Sequence, residues 1–171
     1  MKKVLIIHGW GGSDEPHWQA KLAQELVLKN VIVAFPTLPN RDFPKLDEWK
    51  ETIEKAYDEF NPQIVVCHSL GCIAWLQNPK KTKKLFLVAP PSLNITIPPL
   101  ASFFDLKNFD TKSKECYLFT SSNDKYLSTK EAANFAEKIK ANHHIILQNA
   151  GHINSDSGFG KWDEMLKLVL A

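Results

Sequence analysis

The sequence predicts an α/β fold: one domain over residues 1–171, a three-layer sandwich with a mainly parallel sheet of about six strands. Three observations predict it. Short continuous apolar runs such as Val4–Ile7 and Ile64–Val66 read as buried strands. Helical stretches alternate with them along the chain. No repeat, low-complexity tract or linker interrupts the series, and 171 residues that are 44% hydrophobic suffice for one real core.

The elements follow in order. Lys3 to Ile7 is the first strand, running into His8-Gly9-Trp10-Gly11-Gly12-Ser13, a glycine-rich loop that marks a tight backbone feature. A helix opens near Pro16 and runs to about Lys29. Val31 to Phe35 is the second strand, ended by Pro36-Thr37-Leu38-Pro39-Asn40. Leu46 to Phe60 is a helix, with Leu46, Trp49, Ile53, Ala56 and Phe60 near helical spacing. Ile64 to Cys67 is the third strand, Ser69 to Gln77 its helix, and Lys84 to Val88 the fourth strand. The basic run Pro79–Lys84 between them reads as a solvated turn. Pro90 to Lys114 holds Pro90, Pro91, Pro98 and Pro99 with Phe103, Phe104 and Phe109, so a long apolar loop is expected, with a short helical turn near Leu100 to Leu106. Its aromatics either wall a pocket or fill the space beneath the loop. Cys116 to Thr120 is the fifth strand, followed by a helix from Ser128 or Thr129 to Lys140. His144 to Gln148 is the sixth, and the last helix runs from about Phe159 to Leu170.

Composition excludes several classes of function. With 21 basic and 19 acidic residues the formal charge is +2, which gives no field for nucleic acid or an anionic membrane. The apolar core of the opening strand is too short for a secretory segment, so a soluble, cytoplasmic protein is expected. Cys67, Cys72 and Cys116 lie in apolar surroundings and cannot all pair, which fits buried thiols in a reducing compartment. No Cys/His set has zinc spacing, so no metal and no cofactor is expected. The glycine loop misses a dinucleotide fingerprint, because Asp14 stands where the third glycine belongs.

The most informative stretch is Ile64-Val65-Val66-Cys67-His68-Ser69-Leu70-Gly71-Cys72, a strand that turns into a helix within three residues. Such a turn forces Ser69 into strained angles and lifts its hydroxyl above the amides that open the helix. Gly71 fits the second glycine of a GxSxG turn; Cys67 replaces the first with another small residue. Taken alone, the stretch also fits a buried strand followed by a serine N-cap.

Position along the sheet adds partners. In a parallel sheet the carboxyl ends lie along one edge, and the loops leaving that edge form the ligand crevice. Ser69, Asp124 and His152 each follow the third, fifth and sixth strands, in the order serine, acid, histidine of an α/β-hydrolase triad. The chemistry needs these types: Ser69 as nucleophile, His152 as the base that takes and returns its proton, Asp124 to orient the imidazole. Backbone N–H groups of Leu70 and Trp10 are the candidate oxyanion donors. His17, His143 and His144 are weaker by position, and His8 and His68 read as packing and hydrogen-bonding supports. Asp105, Asp110 and Asp156 remain possible acids.

These segments resemble the small serine hydrolases of the retinoblastoma-binding protein 9 type. The resemblance rests on His8-Gly9-Trp10-Gly11-Gly12-Ser13, His68-Ser69-Leu70-Gly71, Ser122-Asn123-Asp124-Lys125-Tyr126 and Ala150-Gly151-His152-Ile153-Asn154 with Ser157-Gly158-Phe159-Gly160-Lys161-Trp162. It implies a lidless α/β-hydrolase sheet, an open site and a small-molecule acyl substrate. No LxCxE sequence is present, so no retinoblastoma partner is carried over. The expected function is hydrolysis of a small carboxylic ester, with thioesters and amides served by the same machinery. Trp10, Phe103 and Phe104 are candidate pocket residues. The alternative is a catalytically weak protein-binding module in which Cys67 misplaces Ser69.

Overall fold

The computed structural model describes all of residues 1–171. Six parallel strands form one sheet in the order β2-β1-β3-β4-β5-β6. They are β1 (Lys3–Ile7), β2 (Ile32–Ala34), β3 (Ile64–His68), β4 (Thr82–Val88), β5 (Ser113–Ser121) and β6 (His143–Leu147). The helices between and after them are α1 (Trp18–Leu28), α2 (Leu46–Phe60), α3 (Leu70–Gln77), α4 (Thr129–Lys138) and α5 (Asp163–Leu170). No helix is long and apolar enough to cross a membrane.

Side chains alternate across the sheet, and the alternation builds two cores. Leu5, Ile7, Val65, Cys67, Leu85 and Leu87 pack under α2 and α3 with Trp49, Ile73 and Trp75. Val4, Ile6, Ile64, Val66, Phe86 and Val88 pack under α1 and α5 with Trp18, Leu22, Met165 and Val169. Both faces are therefore covered, which is why the strands are apolar on both sides. The chain moves outward from β1 to β2 and then crosses back to β3. This makes the carboxyl ends of β1 and β3 the switch point where open α/β sheets form their ligand crevice. The buried Gln19 amide spans that point, donating to the carbonyl oxygens of Ile7 at 3.0 Å and Val66 at 3.4 Å.

The elements match expectation with a few shifts. The basic run 79–84 is not all solvated turn: β4 begins at Thr82, whose buried side chain lies opposite Ser113 in the ladder with β5. Pairing overrides the poor strand propensity of Lys83 and Lys84. The last helix starts at Asp163 rather than Phe159. Gly158, at φ 83°, ends a 3₁₀ turn over Ser155–Ser157, and Phe159 packs edge-on against Trp162 at 5.2 Å instead of entering a helix. The long loop after β4 carries one 3₁₀ turn, Pro98–Phe104.

Candidate active site

Ser69 stands between β3 and α3 with φ 52° and ψ −125°, a strained conformation for a residue with a side chain. The turn is tight because two glycines let other backbone approach. A Cβ on Gly71 would lie 2.4 Å from the His8 carbonyl oxygen, and one on Gly9 would lie 2.9 Å from the Ser69 Cβ. The turn forms with Cys67 in place: the side chain is fully buried in the same core as Leu70 and Cys72 of α3, where burial pushes its thiol pKa well up.

The structure brings together the three residues singled out by strand position. Ser69 Oγ lies 2.7 Å from His152 Nε2, and His152 Nδ1 lies 2.8 Å from Asp124 Oδ2. An ionised carboxylate only accepts, so Nδ1 carries the proton and Nε2 accepts from the serine hydroxyl. Asp124 is fixed in turn, since its Oδ1 accepts from the Tyr126 N–H at 2.9 Å. Asp105, Asp110 and Asp156 make no bond to the histidine.

His152 sits on a loop sewn to the end of β5. Ser122 Oγ accepts from the Asn149 N–H, Ser121 Oγ from Ala150 and Asn123 Oδ1 from Gly151, at 2.9, 3.0 and 2.7 Å. Trp18 Nε1 donates to the Ile153 carbonyl at 2.9 Å, and His68 Nε2 donates to the His152 carbonyl at 3.1 Å. The Tyr126 ring packs edge-on to His152 at 4.6 Å. His8 is a support as expected: its Nε2 accepts from the Leu38 N–H at 2.9 Å and its Nδ1 donates to the Gly9 carbonyl at 2.7 Å.

The Leu70 N–H opens α3 and has no acceptor within its helix, as for any first helical residue. The Trp10 N–H has no acceptor elsewhere in the protein. Trp10 is held by its indole, which donates to the Asp42 carbonyl at 2.8 Å, and by the next residue, Gly11, whose N–H donates to Arg41 at 2.9 Å.

A crevice of about 280 Å³ opens above Ser69 and His152. Trp10 and Phe104 line it as expected. Phe103 does not: it is fully buried in the α2–α3 core with its ring 5.3 Å from that of Trp49. Neighbouring residues on the 3₁₀ turn face different ways, so only one of the pair reaches the crevice. His17, set aside on position, lines the crevice, because the N-terminus of α1 rather than its body reaches this edge. No group of three or more His, Cys, Asp or Glu side chains is arranged to hold a metal.

Two histidines here are held neutral. Burial lowers the pKa of His17 to about 4, and burial first, then the nearby His152 and His17, lowers that of His68 well below its usual value. The unfolded chain takes up protons at these positions below pH ~6.5, whereas the folded chain resists. Their contribution is therefore complete above pH ~6.5 and is lost as pH falls toward 4, by up to about 1.4 kcal/mol per pH unit for each ring. Urea midpoints measured across that range should fall with acid, and His17→Asn, which keeps a capping oxygen, should flatten the fall. A midpoint independent of pH between 6.5 and 4.5 would contradict this.

Similarity to known proteins agrees with the fold. YdeN of Bacillus subtilis (strain 168), named as a candidate hydrolase, is 26% identical over 170 residues, covering 92% of this chain and 89% of its own. The crystal structure of that gene product superposes with a TM-score of 0.83 at 25% identity, over 99% of this chain and 97% of the other. Est1E from Butyrivibrio proteoclasticus, solved with ferulic acid bound, shares the fold at a TM-score of 0.71 and 14% identity, over 99% of this chain and 85% of its own. The sequence model of the Serine hydrolase family matches residues 4–171, and the chain belongs to that family.

Proposed function

We propose that this serine hydrolase cleaves a small carboxylic ester by acyl transfer through Ser69. The observation that carries the reading is the unbroken run of hydrogen bonds from Ser69 Oγ through His152 to Asp124, set on a strained strand-to-helix turn. Ser69 attacks the carbonyl carbon while its proton passes to His152 Nε2; the C–O bond then breaks as His152 returns that proton to the leaving oxygen. Water repeats the sequence and releases the acid. Asp124 stabilises the imidazolium formed between these steps. The Leu70 and Trp10 N–H groups hold the oxyanion, each worth about 3 kcal/mol of transition-state stabilisation.

Thioesters and amides present the same carbonyl to the same machinery, and the ester ranks ahead of the amide because its alkoxide leaves more readily than an amine. Within the family, the four segments that resemble the retinoblastoma-binding protein 9 type support placing the chain in that branch. The rival reading, a binding module in which Cys67 misplaces Ser69, is disfavoured by the 2.7 Å approach of Ser69 Oγ to His152 Nε2 with Cys67 in place. A fluorophosphonate probe should label the parent chain at Ser69 and fail to label Ser69→Ala or His152→Ala. A folded parent that resists the probe would overturn the reading.

A further inference from the structure

The two sides of the crevice differ in chemistry, and the sheet shows which part of an ester each would meet. Ile95, Ile97, Leu100 and Phe104 line one side. Their segment rises from the α2–α3 face, where Leu100 and Phe103 enter that core. The His152 loop rises from the opposite face, with Ala150 and Ile153 packed in the α1–α5 core. Ser69 stands between. Because the histidine must reach the leaving oxygen, the alcohol lies on the His152 side and the acyl chain lies along the apolar segment.

His17 stands on the alcohol side and is 6% exposed. Its Nδ1 accepts from the Gln19 N–H at 3.1 Å, capping α1, so the neutral ring carries its proton on Nε2. That N–H has no acceptor in the protein, yet it is not among the polar atoms sealed from solvent without a partner. It reaches solvent where the ring lines the crevice. The lowered pKa described above keeps the ring a neutral donor near pH 7 rather than a base. Asp156, an exposed carboxylate, lines the same side.

We propose that His17 is a specificity-determining donor for the leaving group, and that the site takes esters joining a short apolar acyl chain to an alcohol bearing further hydroxyls. This rests on the acyl-hydrolase reading above. A hydroxyl both accepts from His17 Nε2–H and donates to Asp156. An alkyl alcohol satisfies neither group, and a cationic alcohol pairs with Asp156 alone, leaving the His17 donor desolvated and unpaired. The crevice lies at the small end of ligand pockets, so a short acyl chain fills it.

The test compares kcat/KM for glycerol monobutyrate, propyl butyrate and butyrylcholine, which share one acyl group. The parent should prefer the glycerol ester about tenfold or more over both others. His17→Asn, which keeps the cap but withdraws the ring donor, should reduce that preference about tenfold, and Asp156→Ala, at an exposed position, should reduce it as well. Equal rates on glycerol and propyl esters, a preference for butyrylcholine, or an unchanged preference in both variants would overturn the inference. Fluorophosphonate labelling of the same preparations separates the two levels: a labelled parent without the preference sinks only the leaving-group assignment, and an unlabelled parent sinks the reaction with it.

Discussion

Ser69→Ala is expected to lower kcat/KM for a small ester by about 10⁴- to 10⁶-fold while leaving the urea midpoint nearly unchanged. The hydroxyl makes the 2.7 Å bond to His152 and is half-buried, so its removal costs the fold little and the reaction its nucleophile. His152→Ala should cost a similar factor, and the double variant no more than either single one, because the two groups act as a unit. Asp124→Asn probes the third member differently. An amide can present its N–H to Nδ1 and leave the proton on Nε2, the nitrogen that must accept from Ser69; a loss of about 10⁴ is expected with the fold intact. Steady-state rates on one ester, with circular dichroism and urea midpoints on the same samples, check all four. Additive losses in the double variant, or near-parent turnover by Ser69→Ala, would remove Ser69 and His152 from the reaction.

Gly71→Ala should have the largest effect on both stability and rate of any methyl added near the site. Its new Cβ would stand 2.4 Å from the His8 carbonyl oxygen and 2.9 Å from that of Ile7. Both are backbone atoms at the end of a central strand, so neither can swing aside. Overpacking of this kind costs about 1–3 kcal/mol or more. Relief would come from moving the start of α3, which carries Ser69 and the Leu70 N–H away from the Trp10 loop. A shift of about 1 Å in such groups costs about 10²-fold in rate. Gly11→Ala is the control: nothing lies within 4 Å of its Cβ, and the strain of φ 80° alone should cost about 1 kcal/mol. A Gly71→Ala protein with parent stability and parent labelling rate would show that the close approach of α3 to β1 is not what shapes the turn.

How much of this could be read from the residues depends on the range of the interaction that decides each feature. Helix α2 was legible to the residue because Leu46, Trp49, Ile53, Ala56 and Phe60 repeat at helical spacing. Ser69, Asp124 and His152 were legible because a parallel sheet turns position after a strand into position in space. Three features were not. Thr82 and Ser113 join strands because each supplies the other's ladder, a pairing that no window around either contains. Phe103 and Phe104 are chemically alike and adjacent, and which one meets the crevice is set by Trp49 on a distant helix. His17 looked ordinary because its place in the crevice comes from packing, reached only when the start of α1 meets the end of β3; its ring centroid lies 4.8 Å from that of His68.

The strand order also ties reactivity to the completeness of the fold. Ser69 follows a central strand, Asp124 the next but one, and His152 the edge strand β6, held in place through Ser121, Ser122 and Asn123 at the end of β5. Pairing of parallel strands is non-local and comes at the slow end of folding. A chain with its centre assembled but β6 undocked would bury most of its apolar surface and still hold an inert serine. Acylation of Ser69 therefore reports whether the edge strand β6 is docked, which bulk spectroscopic probes of the central strands do not.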